Sequence, residues 1–340
     1  APTNTLEAFE MAPGGSTPFT TVDGVLFKDT ELMLYPRAKD TENYKVPDGV
    51  KSIASYAISN SWKMKSIDLN GVTKLAVSSI YAASLLSTIV LPKDIKKYDE
   101  TTKEGMAEGC FEACQKVAEY MVPAENTDFV AKDGVIFSKP DEDILFLYPP
   151  SRAGDTYVIP ASVKTIARRG FQSARNITTM TIPAGVENIH QEAFRGVPKL
   201  TGVTFEEPSK VQQIGPQAFW SCEKLTEVTL PAALTSIGDI FYQCSKLETV
   251  NIPADSKLET IGKNAFSTNT SLKAFNFQGT CALKEIGENA FANLKDLQTF
   301  KFPKSVTSIK TNAFSGCSSM ATVEFDPDAD ILSIGSGAFA

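Results

Sequence analysis

The stretch "IGPQAFWSCEKLTEVTLP", residues 214–231, decides how the whole chain is read. Taken alone it invites a site: a glycine that could open a helix, a tryptophan two residues before a cysteine, then a carboxylate. Taken in register it is scaffolding. With Phe219 as anchor, Ile214 lies five residues before, Leu225 six after, Val228 three later and Leu230 two beyond that.

These offsets recur along the chain, and self-similarity at a fixed period is the signature of a repeat architecture. Ile166, Phe171, Ile177, Met180 and Ile182 obey them, as do Ile189, Phe194, Leu200, Val203 and Phe205. Sets anchored on Phe266, Phe291 and Phe314 follow, and the set at Ile237 reaches Phe241 one residue early. The N-terminal third keeps the frame with looser residues, anchored on Ile58, Ile80 and Phe111. An eleventh set begins at Ile334 and Phe339.

Each unit divides physically. The Leu-x-x-Val-x-Phe half alternates with period two, which predicts a short strand with one face buried. Proline closes many of these strands (Pro92, Pro123, Pro160, Pro183, Pro231, Pro253, Pro303) because it lacks a donor and fixes φ. The "IG-x-x-AF" half predicts a short helical or 3₁₀ turn on the opposite side. A unit this short cannot bury both halves alone, whereas stacked units bury a continuous core. The predicted fold is therefore an α/β repeat solenoid, with parallel strands lining a concave face and short helical or 3₁₀ turns on the convex side. Tyr44-x-Val46 and Tyr157-x-Ile159 read as two further strands.

"VDGVLFKDTELMLYP" (22–36) and "KDGVIFSKPDEDILFLYP" (132–149) resemble each other and read as inserted β-hairpins with Asp-Gly turns. They are taken as caps that start a repeat block, with protruding binding elements as the alternative. They divide the chain into an N-terminal segment and Gly/Ser/Pro linker at 1–18, a first block at 19–128 and a second at 129–340.

Bulk properties exclude several partners. Charged residues make up 21% and net charge is -7, with lysines and arginines scattered singly, so nucleic acid and anionic membranes are disfavoured. No apolar run approaches the roughly 20 residues of a transmembrane helix, and any signal or lipid anchor is taken as already removed. Six cysteines are too few for a disulfide scaffold of this length.

"IPAGVENIHQEAFRGVPKLTGVTF" and "FPKSVTSIKTNAFSGCSSMATVEF" resemble the BspA-like leucine-rich repeat of bacterial surface and secreted proteins. The "DGVLF…LYP" hairpins fit the same resemblance, which covers about residues 20–340. It implies a leucine-rich-repeat superhelix and an adhesin-like, non-catalytic role, with no catalytic residues to carry over. The departures are the stretched "DETTKEGMAEG" before Phe111 and the first two units, which lack the aromatic.

Local candidates dissolve in register. Cys222 shares its slot with Cys114, Cys244 and Cys317, and elsewhere with Ala174, Ala83, Ser61, Val197, Leu294 or Asn269. That series marks a packed position for a small residue. Cys222 and Cys244 occupy equivalent slots on adjacent units, so a disulfide is conceivable; unpaired thiols are the reading preferred. Cys110 is assigned to the core, and Cys281, in a turn, is the candidate exposed thiol. His190 is the chain's single histidine and occupies a turn slot, so no catalytic triad or histidine-rich metal site is expected. "DPDAD" at Asp326, Asp328 and Asp330 imitates the start of a calcium loop but has Ile331 where glycine is required, and reads as a solvated acidic turn. No cofactor and no metal are expected.

The outward strand rows remain. They present Thr181, Thr204, Glu227, Thr229, Asn251, Asn276, Lys301 and Glu324 as partner-binding candidates for a host or matrix protein, or a glycan. The alternative is that β-branched polar residues simply suit solvated strands. The expected protein is an extracellular or cell-surface binding scaffold, or else a structural spacer within a larger surface protein.

Overall fold

The computed structural model describes residues 5–12 and 17–340, which fall into two compact units, Ala1–Ala153 and Gly154–Ala340. The rest of the Gly/Ser/Pro stretch expected as a linker, at 1–4 and 13–16, lies outside the described residues.

In the second unit the Leu-x-x-Val-x-Phe segments form parallel strands in chain order: Thr179–Ile182, Gly202–Phe205, Glu227–Thr229, Thr249–Ile252 and Ala274–Phe277. Thr299–Phe302 and Thr322–Phe325 pair in the same sense. Register follows the repeat: Met180 pairs with Val203, Val203 with Val228, Val228 with Val250 and Val250 with Phe275. A one-residue slip would turn every buried side chain outward, so the alternation itself enforces this stacking. Two-residue strands such as Asn188–Ile189, Gln213–Ile214, Ser236–Ile237 and Thr260–Ile261 form a second side. Tyr157-x-Ile159 contributes its expected rung through a bridge from Val158 to Thr181.

The third side corrects the helical expectation. Among the described residues there is no α- or 3₁₀-helix; the anchor segments are successive tight turns. The reason lies two residues on either side of the anchor. Gln217 and Ser221 flank Phe219 with φ of 57° and 54°, and Asn289 and Asn293 flank Phe291 with 55° and 64°. Left-handed residues this close leave no run of right-handed turns long enough for a helix. The backbone donors go across rungs instead: Glu192 N to Pro216 O (3.1 Å), Phe194 N to Ala218 O (2.7 Å) and Gly196 N to Trp220 O (2.7 Å). Each inter-rung bond satisfies a buried donor that a helix would have satisfied internally.

This geometry stacks the anchors. Phe171, Phe194, Phe219, Phe241, Phe266, Phe291, Phe314 and Phe339 form one column with near-parallel rings. Centroids are 4.8 Å apart between Phe194 and Phe219. The widest gap, 6.3 Å, separates Phe241 from Phe266. Phe241 is the anchor reached one residue early, so the shortened rung is visible as a stretched step.

The first unit has the same three sides. Asn43–Lys45, Ser66–Asp68, Thr88–Val90 and Glu119–Met121 form the long-strand sheet, and Ile58–Ser59, Ile80–Tyr81 and Phe111–Glu112 pair at the anchors. Both predicted hairpins belong to this unit. Phe19–Val22 and Val25–Lys28 are antiparallel, as are Phe129–Lys132 and Val135–Ser138. Both residues of each Asp-Gly turn are left-handed, as a two-residue hairpin of this hand requires. Glu31–Leu34 then pairs in parallel with Ser52–Ile53, feeding the first hairpin into the short-strand ladder. Val135–Ser138 is buried at every position, and Tyr120 N donates to Gly134 O at 3.1 Å, so the second hairpin lies on the Glu119–Met121 strand and covers its edge.

The N-terminal segment repeats that arrangement. Phe9 N donates to Gly24 O (2.8 Å) and Ala38 N to Leu6 O (2.9 Å), where the second hairpin has Tyr120 to Gly134 and Ser151 N to Val117 O (2.8 Å). Leu6-x-x-Phe9-x-Met11 therefore occupies the slot of Val117-x-x-Tyr120-x-Val122. Residues 5–12 serve as a strand-like cover for the first hairpin.

Candidate binding face

The candidate residues all lie on the long-strand side of the second unit. On each strand the Val-slot side chain points into the core and its two sequence neighbours point out. Thr181, Thr204, Glu227, Thr229, Asn276, Lys301 and Glu324 are exposed. Asn251 is not: only 7% of it is accessible.

The backbone register brings these residues together in three groups. Thr181 sits beside Thr204 and Lys301 beside Glu324. Between them, Asn251 is flanked by Thr229 and Asn276 in the same row. Asn251 Nδ2 donates to Glu227 Oε1 at 2.8 Å and to Thr229 Oγ1 at 3.5 Å. Asn276 Nδ2 donates to Asn251 Oδ1 at 3.0 Å. Asparagine is disfavoured in strands, but in stacked equivalent positions one amide's donor meets the next one's acceptor. Glu227, which belongs to the neighbouring outward row, terminates the ladder with an acceptor.

A recess of about 900 Å³ adjoins the end of this row, lined among others by Phe277, Lys301, Lys304, Asp326 and Asp330. Repeat spacing explains it. The next short-strand isoleucine lies seven positions after the last strand residue at Phe302–Ile309, but nine after it at Phe277–Ile286 and at Phe325–Ile334. A short loop between two longer ones leaves a hollow. The difference is visible in the sequence, although register matching alone passes over it. Lys304 Nζ reaches Asp328 Oδ2 at 3.4 Å across the recess. The Asp326 carboxylate accepts from Asp328 N at 2.9 Å, an ordinary acidic turn. Among the described residues no cluster of histidine, cysteine and acids is arranged to hold a metal ion.

All six cysteines are free, and Cys222 and Cys244 are fully buried. Their shared slot has a role beyond filling space. Cys222 Sγ donates to Phe194 O (3.2 Å), Cys244 Sγ to Phe219 O (3.0 Å) and Cys317 Sγ to Phe291 O (3.1 Å). Asn269, in the same slot, donates to Phe241 O at 2.8 Å. Each ties one rung to the anchor carbonyl of the rung before. Burial pushes the Cys222 thiol well above its ordinary pKa and Cys114 up to about 11, so both are neutral thiols at physiological pH. Cys281 is half-buried at the rim of the recess, 4.0 Å from Ser305 Oγ. His190 is exposed.

Comparison with known proteins agrees with this architecture. The chain is similar to a leucine-rich repeat protein from Eubacterium ventriosum, at 22% identity and TM-score 0.65, over 86% of this chain and 90% of that one. It is similar to a leucine rich cell surface protein from Faecalibacterium prausnitzii, at 22% identity and TM-score 0.57, over 70% of this chain and 60% of that one. A leucine-rich repeat protein from Bacteroides ovatus matches at 18% identity and TM-score 0.53, over 95% of this chain and 82% of that one. At these identities the likeness establishes the fold. No curated protein sequence matches. No helix among the described residues is long and apolar enough to cross a membrane. The model of the BspA type leucine rich repeat region matches in six copies over residues 37–132, 154–273 and 238–340, and the chain belongs to that family.

Proposed function

We propose that this chain is a non-catalytic binding scaffold acting outside the cell or at its surface, adhesin-like, which holds a host or matrix protein, or a glycan, on its long-strand face. The observation that carries the proposal is the Glu227–Asn251–Asn276 ladder within an otherwise exposed polar row. Side chains already held by their neighbours lose little freedom when a partner arrives, which lowers the cost of binding. Thr181, Thr204 and Thr229 extend the row on one side, and Lys301 and Glu324 on the other. The location is supported by the family resemblance and by the similar fold of a protein described as a cell surface protein.

The test is capture on an array of extracellular-matrix proteins, plasma proteins and glycans. Glu227→Ala, Asn276→Ala and Lys301→Ala combined leave the buried Asn251 in place and should reduce capture at least tenfold. Capture equal to that of the unmodified chain would remove the site from this face. A structural spacer is the second reading, favoured by the continuous phenylalanine column, and it gains if the unmodified chain captures nothing.

A further inference from the structure

Four of the chain's six arginines lie between residues 168 and 195. Residues 160–200 carry six lysines and arginines against two glutamates, a surplus of four positive charges in a chain whose net charge is -7. Three of these arginines, from two successive repeats, meet on the anchor side of the second unit. Glu192 Oε2 accepts from Arg169 Nε at 2.8 Å and from Arg195 Nη1 at 3.1 Å, while Arg168 Nη2 lies 3.6 Å from Oε1. The guanidinium of Arg195 sits 4.1 Å from the centre of the Trp220 ring. Trp220 in turn donates to Gln243 Oε1 at 2.9 Å and meets Tyr242 edge-on at 5.9 Å.

These groups stand at the turns of four successive rungs, so they form a ridge remote in the repeat from the long-strand face. Three guanidiniums surround the single Glu192 carboxylate, which holds Arg169 and Arg195 in fixed geometry. The side chains of Arg168 and Arg195 keep 31% and 27% of their surface accessible. Arginine is weakly hydrated, stacks on aromatic rings and grips carboxylates with a planar fork. Together with tryptophan and tyrosine it makes up the residue set that dominates protein interfaces.

We infer that the Arg168–Arg195–Trp220 ridge is a second docking surface, which takes an acidic segment of a protein partner. The partner's Asp or Glu carboxylates lie against Arg168 and Arg195, and an apolar side chain lies on the Trp220–Tyr242 edge. A sulfated glycan fits less well. The groups that continue the ridge beyond Arg195 are Trp220, Gln243 and Tyr242, none of which pairs with a polyanion as a cation would.

The probe is a fluorescein-labelled peptide of alternating glutamate and leucine, titrated against the full chain by fluorescence anisotropy, with heparin as a competing polyanion. The unmodified chain should bind the peptide, and binding should weaken as salt rises. Arg168→Gln and Trp220→Ala should each weaken binding roughly tenfold, the scale of an interface hot spot. Arg168 is the most distant of the three arginines from Glu192, so Arg168→Gln leaves the two closer pairs in place; an unchanged melting temperature confirms the fold. Glu227→Ala, on the long-strand face, should leave peptide binding unaltered, which separates this surface from the one proposed above. The inference is overturned if the peptide does not bind, if it binds equally to Arg168→Gln and Trp220→Ala, or if heparin binds where the peptide does not.

Discussion

Asn276 donates its amide to Asn251 at 3.0 Å, and Asn251 passes its own to Glu227 at 2.8 Å, so three rungs share one side-chain hydrogen-bond chain on an otherwise solvated sheet. Asn251 is at once the most buried member of the polar row and the one that orients its neighbours. Asn251→Ala should therefore cost about 1–2 kcal/mol, because it removes the bonds to Glu227, Thr229 and Asn276 together. Asn276→Ala should cost less, since it removes one at an exposed site. Urea unfolding of the two variants checks the order; equal costs would deny Asn251 its central role.

The phenylalanine column predicts a steeper penalty. Phe219 is fully buried, with Phe194 at 4.8 Å on one side and Phe241 at 5.5 Å on the other. Phe219→Ala should cost about 3–5 kcal/mol. Phe339 ends the described column and is partly exposed, so Phe339→Ala should cost much less. A similar loss at both positions, measured by denaturant melts, would contradict column stacking as the source.

Thiol chemistry offers a test of alkaline stability. Burial raises Cys114 from 9.0 to about 11, so the folded state holds its proton where the unfolded chain releases it. The stabilisation from that difference is fully present below about pH 9 and is lost as pH rises through about 11. Cys114→Ala should reduce the fall in urea midpoint over that interval. A thiol reagent at neutral pH should modify Cys281 first and leave Cys222 and Cys244 unmodified until the chain unfolds.

Gly134 tests the hairpin's seat. Its φ is 78°, and a Cβ there would come within 3.2 Å of Glu119 Cα. Gly134→Val combines left-handed strain with a clash against the strand beneath, and should destabilise by about 1–3 kcal/mol. Proteolysis should then open the chain near 132–135, whereas an equally resistant variant would show that the hairpin does not rest on that strand.

What the sequence determined by itself was everything carried by periodicity. The alternation at Leu225, Val228 and Leu230, matched in every unit, specified parallel strands in register, and the anchors at Phe171 to Phe339 marked one equivalent slot per unit. Units this short, each with period-two burial, cover so many apolar side chains only by stacking. The same local reading erred where the outcome depended on the next rung. Spacing alone predicts a helical turn around Phe219, but the donors of Gln217, Phe219 and Ser221 find carbonyls on the following rung, and left-handed residues on both sides follow from that. Residues 5–12 read in sequence only as part of a terminal segment and linker, because their partner, the hairpin turn at Gly24, is not adjacent in the chain. Asn251 looked as exposed as Thr229, and only its neighbours across the sheet bury it. Arg168 and Arg169 belong to one repeat and Arg195 to the next, and only successive turns gather them around Glu192. In each case a deciding contact joins residues that local pattern does not bring together, for the Phe219 turn, Asn251 and Arg169 about one repeat apart, and such contacts exist only once the chain has stacked.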